Sequence, residues 1–91
     1  MRNIYITLHE EDKEFLISLL NNSHLSYLIK YIQQSEKSLE NKEFILFSLR
    51  EDDAEEVIGQ LAWEAKFSNT MQKALRIDKI ATIIGEAICE I

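Results

Sequence analysis

Ile4-Tyr5-Ile6-Thr7-Leu8-His9-Glu10-Glu11-Asp12 and Ile45-Leu46-Phe47-Ser48-Leu49-Arg50-Glu51-Asp52-Asp53 carry one pattern twice, at an offset of 41 residues. Extended to Leu20 and Leu61, the match holds seven identities in seventeen positions. The order of features is stronger evidence than the count: an apolar alternating run, an acidic turn, then apolar residues at helical spacing. Ile4, Ile6 and Leu8 alternate with Tyr5 and Thr7, the period-2 signature of a half-buried strand. Ile45, Phe47 and Leu49 occupy the matching face of the second copy. There Phe44 and Leu46 make the other face apolar as well, which predicts a strand covered on both sides.

Each strand feeds a helix with an acidic first turn, Glu10-Glu11-Asp12 or Glu51-Asp52-Asp53, and carboxylates there complement the positive end of the helix dipole. Thr7 and Ser48 have the spacing of a capping box. Because Leu8 and Leu49 continue the strand alternation, His9 and Arg50 are the preferred caps.

Further along, Ala54, Val57, Ile58, Leu61, Ala62 and Ala65 define a third helix, while Ile77, Ile80, Ala81, Ile84 and Ile88 define a fourth. Leu25, Leu28, Ile29 and Ile32 form the corresponding stripe of a second. The second and fourth stripes match at an offset of 52, so eleven more residues separate the helices of the second copy, near Trp63 to Arg76. The expected fold is therefore α+β: one domain over residues 1–91, a duplicated β-α-α unit with copies near 3–40 and 43–91, and a small two-stranded antiparallel sheet covered by helices. The apolar outer positions Tyr5, Phe44 and Leu46 need a further cover, either the long C-terminal helix or a second copy in a homodimer.

Composition narrows the function classes. A net charge of −6 disfavours generic binding to nucleic acid or anionic membranes. No apolar run approaches the length of a membrane span, and no N-terminal apolar segment resembles a signal peptide. The single cysteine, Cys89, cannot form an internal disulfide and reads as a small buried apolar residue, so a cytoplasmic location is expected. No glycine-rich segment could cradle phosphate and no His/Cys spacing suits zinc. The acidic run Glu51–Glu56 lacks the ligand alternation of a calcium loop. His9 could act as a base with Glu11 or Asp12 beside it, yet Arg50 in the equivalent position points to an exposed junction. Neither a catalytic group nor a cofactor is expected.

The insertion is the candidate site. Gly59, Trp63 and Phe67 stand four apart, beside the core stripe of the third helix. Gly59 would let the indole lie flat or another backbone approach. Aromatics at this spacing usually belong to the core, here beneath the fourth helix. The competing reading joins Trp63, Phe67 and Met71 to the cations Lys66, Lys73, Arg76 and Lys79 as a surface for a protein partner. The plainer alternative for the basic stretch is a solvated face, one that can also pair with the acidic third helix. A protein-interaction module (a regulator, inhibitor or immunity-type accessory protein) is the leading expectation. A small-ligand or nucleotide binder comes second and nucleic-acid binding through the basic patch third. Tyr27 and Tyr31 stand beside the second stripe, at the rim of the core or facing a partner.

Overall fold

The computed structural model describes residues 2–90. Met1 and Ile91, the outermost positions of the expected domain and of its second copy, lie outside the described residues. The chain is α+β: β1 (Asn3–His9), α1 (Glu10–Leu20), a short 3-10 turn (Ser26–Leu28), α2 (Ile29–Gln33), β2 (Glu36–Lys37), β3 (Phe44–Arg50), α3 (Glu51–Lys66) and α4 (Met71–Cys89). The sheet has three antiparallel strands in the order β1-β3-β2, not the two expected. The additional strand pairs Glu36 with Leu46 and Lys37 with Ile45. Two charged residues carry no periodicity, so nothing in their pattern announces a strand.

β1 and β3 follow the alternation closely. Ile4, Ile6 and Leu8 face inward with Ile45, Phe47 and Leu49, all nearly inaccessible. Ile6 sits directly opposite Phe47, its own counterpart at the offset of 41. The flanking backbone bonds are counterparts too: Glu10 N–H donates to Glu43 C=O at 2.9 Å, and Glu51 N–H to Arg2 C=O at 2.9 Å. Beyond α1 and α3 the two halves diverge. Asn21, Asn22 and Ser23 end α1 in a turn, with Ser23 Oγ accepting from the Leu25 N–H at 3.0 Å. α2 is 5 residues long and α4 is 19, so a full second helix in each copy is not reproduced.

The helices lie on the inner face of the sheet. Ile77, Ile80 and Ile84 of α4 pack beneath β1 and against α3, and Leu28 and Ile32 pack beneath β3. The outer face is not covered, contrary to the expectation for the second strand. Tyr5 is 65% exposed and Leu46 39%, with Phe44 half-buried edge-on to the His9 ring. The preferred caps hold. His9 Nδ1 accepts from the Glu11 N–H at 3.1 Å, and Arg50 is the N-cap of α3. No helix among the described residues is long and apolar enough to cross a membrane.

Candidate functional site

Between Leu61 of α3 and Ile77 of α4, no side chain is fully buried. The insertion lengthens α3 and starts α4 early, and this end of the helical hairpin adds nothing to the sealed interior. Caps set its turn, and Ala65 is its partly buried contact with the core. Thr70 Oγ1 accepts from the Lys73 N–H at 3.2 Å to start α4, and Ser68 Oγ donates to the Thr70 carbonyl at 2.7 Å.

The expectation that Trp63 and Phe67 pack as core beneath the fourth helix is therefore corrected. Trp63 is 56% exposed, Phe67 60%, Met71 78% and Leu75 61%. The first two rings touch, with centroids 4.8 Å apart and planes tilted by 46°. The periodicity was sound but misassigned: Ala54, Val57 and Leu61 turn inward, and the stripe of Gly59, Trp63 and Phe67, two positions beyond Val57 and Leu61, faces solvent. Lys66 Nζ lies 5.7 Å from the centre of the Phe67 ring, within range of a weak cation–π contact. Leu75, four residues beyond Met71 on α4, was not among the expected residues; it is exposed too, but it lines a separate groove with His9 and Phe44.

The four expected cations separate into two kinds. Arg76 lies across α1: its Nε is 3.2 Å from Asp12 Oδ1, its Nη2 donates to the Glu11 carbonyl at 3.1 Å, and its guanidinium stacks 4.2 Å above the Phe15 ring. Lys79 Nζ lies 3.6 Å from the other oxygen of Asp12. Both are thus tied to α1, where the sequence suggested a pairing with α3. Asp12, 7% exposed, is the one buried charged residue among those described. Lys66, against the Phe67 ring, and Lys73, in the first turn of α4, stand at the hairpin end with no ion pair among the described residues.

A shallow open groove of about 720 Å³ runs beside α3, lined by Ser23, His24, Glu56, Gly59, Gln60 and Trp63, among others. A Cβ at Gly59 would meet nothing within 4 Å, so neither an indole nor another backbone presses against this glycine. Glu56 and Glu64 place two carboxylates on the groove, an unfavourable lining for a nucleotide or other anion.

The remaining expectations fall outside any site. Cys89 is exposed rather than buried. His9 caps α1 and stands 3.8 Å from Glu43. Tyr27 donates its hydroxyl to Asp53 Oδ1 at 3.1 Å; that bond, then partial desolvation, then the charges of Asp53, Glu56 and Asp52 raise its pKa above the usual 10. Tyr31 is 43% exposed. Among the described residues, no cluster of three or more His, Cys, Asp or Glu side chains could hold a metal ion.

No protein-family model matches the chain, and neither the curated proteins nor the solved structures contain a significant match to it.

Proposed function

We propose that this chain is a cytosolic, non-enzymatic protein-interaction module, built on a duplicated β–α unit, whose contact surface is the end of the α3–α4 hairpin. The observation that carries this reading is the exposure of Trp63, Phe67 and Met71, the first two in ring contact, on a segment that gives the core no buried side chain. Large apolar groups gathered on one surface raise the cost of hydration unless a partner covers them. Trp and Phe lose little side-chain entropy on docking, and tryptophan is the residue type most enriched among interface anchors. Lys66 and Lys73 give this end positive charge on an acidic protein, so the partner surface is apolar at its centre and carries carboxylates at its rim.

The other readings fare worse. Two of the four cations that a nucleic acid would need are already engaged with Asp12, and the groove at Gly59 is acidic.

The test is capture from cytosolic extract by the immobilised chain, repeated with Trp63→Ala, Lys73→Glu and the remote control Lys37→Glu. An anchor tryptophan contributes about 2 kcal/mol or more, so Trp63→Ala lowers affinity about 30-fold. Lys73→Glu weakens the same complex and Lys37→Glu leaves it unchanged. Because Trp63 is the only tryptophan, its emission shifts to the blue when the purified partner binds. Equal recovery of every captured protein by wild type and Trp63→Ala refutes this surface.

A further inference from the structure

The two edges of the sheet are finished differently. On the β2 side the edge strand is 2 residues long and both are charged, Glu36 and Lys37, a common way of discouraging further strand pairing. On the other side β1 runs for 7 residues, and Asn3 through Leu8 include no charge, proline or glycine.

The bonding parity of β1 follows from the bonds at its ends. The Glu10–Glu43 and Arg2–Glu51 pairs are hydrogen-bonded. Alternation then makes Ile4–Leu49, Ile6–Phe47 and Leu8–Ile45 the bonded pairs of the ladder. The Ser38 N–H bond to the Phe44 carbonyl at 2.9 Å fixes the same parity from the far side of β3, whose even-numbered residues turn toward β2. The N–H and C=O groups of Asn3, Tyr5 and Thr7 therefore point away from the sheet, and no backbone bond outside the ladder reaches them among the described residues.

We infer that this edge receives an extended segment of another protein as a fourth strand, antiparallel to β1. A second whole copy does not fit as well there. Neighbouring strands lie about 4.8 Å apart, whereas packed helices need about 8–10 Å. α4 packs beneath β1, so strand-to-strand pairing of two copies would drive their α4 helices together. A segment with no helix beneath it escapes that clash.

The side chains of the incoming strand are constrained as well. At its His9 end the incoming strand meets a groove of about 610 Å³, lined by Leu75 and the half-buried Ile83 of α4 with His9, Phe44, Arg76 and Lys79, and with Glu11 and Asp12. These positions call for branched apolar residues at alternate places. At the His9 end, Asp12 faces two cations, and the Lys79 side chain remains 65% exposed. An acidic residue at the N-terminal end of the antiparallel segment meets that ammonium group.

The test uses a capped synthetic peptide, Asp-Val-Thr-Ile-Thr-Val, beside the same composition with its alternation scrambled. Amide hydrogen exchange is followed by NMR in the full chain. Binding slows exchange at Tyr5 and Thr7 about tenfold or more at saturation, while Ile4, Ile6 and Leu8, already bonded to β3, stay as they were. Lys79→Glu weakens the acidic peptide and favours one headed by lysine. Thr7→Pro removes an outward donor without touching the β1–β3 ladder; Tyr5→Lys, an exposed change, serves where the proline disturbs folding. Unchanged exchange at Tyr5 and Thr7 up to the solubility limit of the peptide overturns the inference, and so does equal protection by the scrambled peptide. Trp63→Ala is neutral in this assay, so failure here is separate from failure of the hairpin surface.

Discussion

Replacing Arg76 by alanine tests the division of the basic stretch into structural and free cations. Arg76 makes one charge-assisted bond to Asp12 at 3.2 Å, one to the Glu11 carbonyl at 3.1 Å, and a stacking contact with Phe15. Charged hydrogen bonds contribute about 1.5–3 kcal/mol, and stranding a buried carboxylate costs about 3–5 kcal/mol. Both figures need reducing here. The Arg76 side chain is 40% exposed, and Lys79 stays 3.6 Å from Asp12 to offset part of the charge. A loss of about 2 kcal/mol results. For a domain of this size it lowers Tm by about 8–16 °C. Asp12→Asn removes the attraction without leaving a buried charge and costs about 1 kcal/mol. Lys79→Ala, with an exposed ammonium at the longer distance, costs less than about 0.5 kcal/mol. Urea unfolding followed by circular dichroism measures all three at constant pH. Arg76→Ala within 0.5 kcal/mol of wild type, or no worse than Lys79→Ala, refutes the assignment of Arg76 to the α1–α4 contact. The same logic makes Lys73, and not Arg76, the residue to reverse when partner binding is assayed.

Two further outcomes follow from local geometry. Gly59 lies inside α3 with open space at its Cβ position, so Gly59→Ala stabilises the chain by about 0.5–1 kcal/mol through helix propensity; a loss of stability in thermal melts would mean that the groove needs the glycine. The bond to Asp53 raises the Tyr27 pKa in the folded chain. Its stability contribution is therefore full below the unfolded value near 10 and is lost as pH climbs through the raised folded value. Ultraviolet titration should show a phenolate phase above 10 that disappears in Tyr27→Phe, and its persistence in that variant would assign the phase elsewhere.

Much of the fold was legible because burial here follows simple periods. Every second residue of β1 and β3 faces the core, and the inward stripes of α3 and α4 recur at three and four. Two kinds of feature were not legible. β2 depends on its partner: Glu36 and Lys37 have no pattern of their own and become a strand because the open side of β3 offers backbone groups to them. The Asp12–Arg76 contact joins residues 64 positions apart, and an acidic first turn gives no hint that one of its three carboxylates is buried. The candidate-site residues stand close together in sequence, but their separate placements were not legible there. Lys73 and Arg76 share a helix face by spacing, yet only Arg76 reaches α1.

Length explains why the two strand–helix halves of the chain carry unequal surfaces. At about 1.5 Å per residue, α4 extends for about 28 Å, longer than the roughly 23 Å of a seven-residue strand. α2, at about 7 Å, spans only a fraction of its strand. The short helix leaves the far side of β3 to be completed by β2, which closes that edge with charged residues. The long helix covers the inner face of β1, and its surplus length joins the end of α3 as a hairpin beyond the core. Shortening the hairpin by deleting residues 66–71 and closing it with a glycine-rich turn separates core from surface: a chain that still unfolds cooperatively, with little loss of stability, places Phe67 and Met71 outside the folding unit. Collapse of the cooperative transition would instead make the strip part of what holds α3 against α4.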